Sequence, residues 1–355
     1  MPTPKEVQQP IFKQEEVKSS YEELFSVLRL IAPGTHIRAG INGILNAGKG
    51  AIIVVSNSYV QPLLDGGFRL NSKFSSQKLI ELSKMDGAII LSKDMKRIVS
   101  ANVLLSPSNS IKTNETGTRH KAAERTAKQA NTLVIAISER RKEITLYYKN
   151  IRYPIEDSSE ILLKSNEYMQ IIERQRELFD TAIEKLTALE FRNQPSLPQA
   201  VQAIQRGKIM EKLAEEVEKS IIELGKDGTL LKPRLKELIS GVERETNLVV
   251  KDYTQTDMKR SLAMLSDLSY DELFDKEEII TSLSPESPIN NVPIKGWRLL
   301  SKTSLHDSEI ASIIQNAGTL GKAIYSGISF HTSIVGREKA EIFKDEIDSM
   351  KFQLR

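Results

Sequence analysis

Runs that favour β-strands are confined to the first 150 or so residues of this 355-residue chain, and the remainder carries the period of helices. The runs GAIIVVSN (Gly50–Asn57), GAIILS (Gly87–Ser92), RIVSANVLL (Arg97–Leu105), TLVIAIS (Thr132–Ser138) and EITLYYKN (Glu143–Asn150) include several rich in β-branched residues, as buried strands are. Between them YEELFSVLRLI, SQKLIELSK and HKAAERTAKQA space their apolar residues as helices do. This alternation predicts an α/β domain, a central mixed sheet flanked by helices. From about Pro154 to Leu283 the pattern changes, and segments such as EILLKSNEYMQIIERQRELFDTAIEKLTALEF predict an all-α middle section. SLSPESPINNVPIKG, with its three prolines and small polar residues, reads as a linker to a short helical tail. The expected division is 1–150, 151–292 and 293–355, which suits a chain longer than one domain of roughly 100 to 200 residues.

Composition narrows the chemistry. The chain has no cysteine and four histidines spread along it, so disulfides, thiolate zinc sites, a cysteine nucleophile and a histidine metal cluster are all disfavoured. Oxygen-ligated magnesium or manganese stays open. The net charge of +3 does not by itself demand a nucleic-acid partner. Without a long uncharged apolar run or a basic-then-apolar leader, the expected location is the cytoplasm.

GILNAGKG (Gly43–Gly50) imitates the spacing of a phosphate-binding P-loop. A P-loop follows a strand and opens a helix, whereas this run follows a helical pattern and leads into a strand. Gly50 also stands where the magnesium-binding Ser or Thr belongs. A helix C-cap and turn account for Asn46, Gly48 and Gly50.

The stretch GTRHKAAERTAKQ is a better anion site. After a strand and the polar loop NETG, it places Thr118, Arg119, His120 and Lys121 at the start of a helix, where free backbone N–H groups and the positive dipole end already favour a polyphosphate. The plainer alternative is a solvated first turn with Thr118 as its cap. Asp86 precedes Gly87 and an apolar strand, a position from which a carboxylate can reach a metal or a ribose hydroxyl while glycine lets a flat base approach; Asp-Gly is also a common turn. Ser138 ends another strand and leads to Arg140 and Arg141; strand ends are where open α/β sheets collect ligands.

Taken together, SKMDGAIILS, ETGTRHKAAER, IAPGT (Ile31–Thr35) and DGGF (Asp65–Phe68) resemble, in order and spacing, the diadenylate cyclase domain of the bacterial DNA integrity scanning proteins. The family's Asp-Gly-Ala motif corresponds to Asp86-Gly87-Ala88, and its Arg-His-Arg motif to Arg119-His120-Lys121. The resemblance implies condensation of two ATP molecules into cyclic di-AMP with release of two pyrophosphates, using Mg2+ or Mn2+. It implies that Asp86 holds the ion and orients the attacking hydroxyl. It further implies that Gly87 and Leu105 contact adenine, that Thr118 holds ribose, and that Arg119, His120 and Lys121 grip phosphates with help from Ser138 and Arg141. A helical middle domain, a C-terminal helix-hairpin-helix domain, a homo-octamer and branched DNA as a partner follow from the same resemblance.

The chain departs from the family at two places. Lys121 replaces an arginine and loses its planar fork. In SIVGREKAEIF the hairpin keeps Gly336 but has Ile334 where a first glycine belongs, which puts DNA contacts by Gly336, Arg337 and Lys339 in question. Lys121 favours the alternative reading, a DNA-associated sensor that binds nucleotide with little cyclase turnover, whereas Ile334 weakens it.

Overall fold

The computed structural model describes residues 23–284 and 294–353. Residues 1–22 and most of the proline-rich linker lie outside the described residues. The chain forms two units, one of residues up to 164 together with 218–232, the other of 165–217 together with residues from 233 onward.

The first unit begins with α1 (23–31) and α2 (His36–Asn46), followed by β1 (Ala51–Val55). Then come β2 (Leu64–Asp65), β3 (Phe68–Lys73), α3 (Ser76–Leu82), β4 (Ala88–Leu91) and β5 (Arg97–Leu105). A loop leads to α4 (Thr118–Ala130), β6 (Leu133–Ser138), β7 (Glu143–Tyr148) and β8 (Ile151–Ile155). The strands make one mixed sheet in the order β2-β5-β4-β1-β6-β7-β8, with β3 also paired to β5. Only β1 and β4 run parallel among these pairs.

Strand periodicity builds three layers from this sheet. Ile53 and Val55 of β1 join Leu24, Leu28, Ile41 and Ile44 of α1 and α2 on one face. Ile52 and Val54 join Ala123, Ala127 and Ala130 of α4 on the other. With the small residues Ala123, Thr126, Ala127 and Ala130 as its buried face, α4 lies close to the sheet, and its N-terminus is brought to the ends of β4 and β6. GILNAGKG behaves as its order in the chain required: α2 ends at Asn46, Ala47 caps it, Gly48 turns at φ +63°, and β1 follows.

Three strands were not expected. β2 has two residues. β3, FRLNSK, is exposed along nearly its whole length, so it lacks the apolar face that marks a strand in sequence. β8 carries Pro154, which an edge strand tolerates because one side has no ladder to complete. The helical middle section accordingly begins just past Ile155.

The second unit is helical, built on most of α5 (Ser158–Phe191) and α6 (Leu197–Leu224) with α7 (Leu231–Leu238), α8 (Val242–Tyr253), α9 (Met258–Asp267) and α10 (Lys276–Leu283). The tail adds α11 (Trp297–Leu300), α12 (Asp307–Ala317), α13 (Leu320–Tyr325), α14 (Ile328–Val335) and α15 (Arg337–Gln353). One apolar cluster runs through it, from Ala182 and Leu186 to Phe343 and Ile347. Buried within the unit, Arg298 pairs with Glu190 and, at 2.9 Å, with Glu245. Asp252 accepts the backbone N–H groups of Gly296, Trp297 and Arg298 at 2.8–2.9 Å and so closes the start of α11. No helix among the described residues is long and apolar enough to cross a membrane.

Candidate functional site

A pocket of about 540 Å3 opens where β4, β5 and β6 meet the start of α4. Gly87, Leu105, Thr118, Arg119, His120 and Ser138, chosen from sequence as site residues, all line it. Ile52, Ala88, Val103 and Ala122 supply apolar wall, and Gly117 and Leu104 complete the rim.

Local geometry explains why these residues meet. Gly87 has φ +87°, and a Cβ there would come within 2.8 Å of the Asn102 backbone, so only glycine lets β4 enter the sheet beside the irregular part of β5. α4 is capped by Gly117, which has no side chain to bond the first turn, and Thr118 is the first helical residue, so the plainer alternative of a Thr118 cap does not hold. No acidic residue sits in that turn. The free N–H groups and dipole end therefore face the pocket without an internal counter-charge, an arrangement that favours an anion.

The loop before α4 is strapped to the helix it precedes. Arg125 donates to the Ile111 carbonyl at 3.0 Å and to Asn109 Oδ1 at 2.8 Å, and Lys128 donates to the Lys112 carbonyl at 3.1 Å. Gln129 Oε1 accepts from the Ser108 N–H at 2.8 Å. The polar face of AERTAKQ thus holds in place the segment that follows β5, outside the pocket lining.

Not every sequence candidate lines the cavity. Asp86 is exposed and flanks Gly87 at the edge. Lys121 is half-buried and is not part of the lining. Arg141 is reached through Ser138, whose Oγ accepts the Arg141 N–H at 3.2 Å, while its guanidinium lies 3.8 Å from Glu143 on the surface.

Behind the pocket is a set of partners that sequence reasoning missed. His120 Nδ1 lies 2.9 Å from the Tyr147 hydroxyl, which donates to Glu115 Oε1 at 2.7 Å, and Arg152 Nε donates to the same oxygen at 2.6 Å. Burial works against the charge on Glu115, but Arg152 and Tyr147 outweigh it and hold the carboxyl below the ordinary carboxylate range. Burial lowers His120 from its ordinary value, opposed by Glu115 and reinforced by Arg141, Arg152 and Arg119. Burial, with Glu115 adding to it, pushes the Tyr147 phenol up. In sequence Tyr147 is one more apolar strand residue and Glu115 part of a polar loop, so neither carries a visible signal.

A mixed sheet whose strand ends and helix N-terminus converge on a cation-lined pocket defines an α/β nucleotide-binding domain. Residues 38–151 match the model described as DisA bacterial checkpoint controller nucleotide-binding, and 155–291 match the DisA bacterial checkpoint controller linker region. The chain is 37% identical over 336 residues to the DNA integrity scanning protein DisA of Clostridium botulinum (strain Eklund 17B / Type B), covering 92% of this chain and 95% of that one. It is 36% identical to the protein of the same name from Symbiobacterium thermophilum, over 93% of this chain and 96% of that one. The chain belongs to the DisA family, and its sheet domain is a diadenylate cyclase domain.

Proposed function

We propose that the chain joins two ATP molecules into cyclic di-AMP and couples this synthesis to the state of DNA through its C-terminal helices. The observation that carries the reading is the convergence of Gly87, Leu105, the consecutive Thr118, Arg119 and His120, and Ser138, from four separate stretches of the chain, on one pocket at the mouth of α4.

In each half-reaction a 3′-hydroxyl oxygen bonds to the α-phosphorus of the other nucleotide while the bond from that phosphorus to the pyrophosphate oxygen breaks. The protein's part is to position the groups and offset charge. Gly87 and Leu105 present backbone to adenine, Thr118 holds ribose, and Arg119, His120 and the free N–H groups of α4 receive the phosphates. Lys121 and Arg141 act from the periphery. Because each hydroxyl must reach the neighbouring nucleotide, two sites have to face each other, and a homo-octamer supplies such pairs.

Among the described residues no three carboxylates or histidines gather into a metal site. A lone carboxylate at the pocket edge suits Mg2+ or Mn2+ held jointly with substrate phosphates, and Asp86 is that carboxylate. Such an ion would neutralise phosphate charge.

For the tail, residues 293–355, we propose a helix-hairpin-helix module formed by α14 and α15. Gly336 joins the two helices at φ +85° with open space around it, as a hairpin that offers backbone N–H groups to a DNA phosphate requires. Ile334 is inside α14 and packs against the apolar cluster, so it needs no positive φ and the hairpin turns on one glycine. Arg337 is paired with Glu341 at 3.0 Å and Lys339 with Glu309 at 2.5 Å, so branched DNA would have to displace carboxylates from both.

Chromatography of products from ATP with Mg2+ or Mn2+ tests the reading. Wild-type protein is expected to yield cyclic di-AMP, and Asp86→Asn to yield none while keeping its fold. ATP that stays bound and unconverted over hours would favour a nucleotide-binding sensor.

A further inference from the structure

We propose that Tyr147 is a positioning residue of the cyclase site: its hydroxyl, held by Glu115, fixes the His120 ring with Nδ1 donating inward and Nε2 left to the pocket. The inference rests on the cyclase reading of that pocket. Tyr147 is 1% exposed on β7, and its ring meets His120 edge-on with centroids 6.1 Å apart. A phenol has one proton to give. Glu115, ionised and paired to Arg152, has none, so the Tyr147 proton goes to Glu115 and the Tyr147 oxygen accepts from His120 Nδ1–H. No second hydrogen bond to the His120 ring occurs among the described residues.

The opposite ring edge borders the pocket: His120 Cδ2 lies 4.0 Å from where a Cβ on Gly117 would stand. Because Nδ1 already carries a proton, Nε2 can take a second and donate to a phosphate oxygen without ring rotation or tautomer exchange. Glu115, one hydrogen bond further back, offsets the resulting charge. A residue needed only to fill the core would require no hydroxyl at this point.

The test uses full-length protein labelled with 15N-histidine and sedimented for solid-state spectra, with the His120 signal identified by its loss in His120→Gln. Wild type is expected to show His120 as Nδ1–H and Tyr147→Phe to show mixed tautomers. In the same variant kcat should fall about tenfold, as for loss of a ligand-orienting partner, with KM for ATP nearly unchanged. Glu115→Gln, which keeps an acceptor for Tyr147, should lose less. Should Tyr147→Phe not fold, the wild-type tautomer and Glu115→Gln decide. An Nε2–H ring in wild type, a Tyr147→Phe enzyme with unchanged tautomer and kcat, or a Glu115→Gln enzyme that loses more than tenfold, overturns the inference. Wild type with the Nδ1–H ring and bound ATP but no cyclic di-AMP overturns the cyclase reading instead.

Discussion

Arg119 occupies the space beside Gly50, so that a methyl group on Gly50 would stand 2.2 Å from the guanidinium Nη1. The first turn of α4 and the residue before β1 are thereby fitted to each other, and the glycine that ended a misleading phosphate-loop pattern leaves room for the Arg119 guanidinium.

Gly50→Ala is therefore expected to push Arg119 out of the pocket. The obstructing atoms are the end of a flexible side chain, with the Ile137 carbonyl next at 3.1 Å, so the melting temperature should change little. kcat/KM for ATP should fall about 10- to 100-fold, the usual effect of displacing a positioning group by an ångström or so. Unchanged kinetics would show that Arg119 does not need this space.

His120 predicts the acid side of the stability profile. Burial lowers its folded-state pKa below the ordinary 6.5, so the unfolded chain takes up a proton first as pH falls. The stabilisation is complete above the unfolded value and is lost as pH falls through the folded one. Melting temperatures measured from about pH 7.5 to about pH 5 should fall more for wild type than for His120→Gln, because only wild type carries this ring. Parallel curves would contradict the assignment.

In the helical unit, burial favours the neutral form of Glu190 against the pull of Arg298, while Glu190 and Glu245 together outweigh the desolvation of Arg298 and keep it charged. Arg298→Met leaves Glu190 buried without its cation and should cost about 3–5 kcal/mol in denaturant unfolding. The double variant Arg298→Met, Glu190→Leu should recover part of that loss, since the buried Glu190 carboxyl is then gone with its cation and Glu245 keeps Lys302 at 3.0 Å. A single variant as stable as wild type would show that the pair contributes nothing.

The readable parts of this chain were those whose physics is local. β1, β4, β5, β6 and β7 announced themselves by buried β-branched runs, and α4 by its charged opening. β3 did not, because exposed Arg69, Asn71 and Lys73 look like loop. Six residues that the family resemblance singled out line one pocket: Gly87, Leu105, Thr118, Arg119, His120 and Ser138. Lys121 did not join the lining, because the residue after His120 points elsewhere on the helix circumference. Tyr147 and Glu115 were illegible because their meaning depends on a neighbour 27 or more residues away in one case and on a loop's path in the other.

The strapping of residues 108–112 by Arg125, Lys128 and Gln129 has a thermodynamic consequence. The segment between β5 and the mouth of α4 stands assembled before any nucleotide arrives, so little chain entropy is lost on its account when one is captured. Affinity can then be eroded from the far side of α4, by loosening a segment that never touches the ligand.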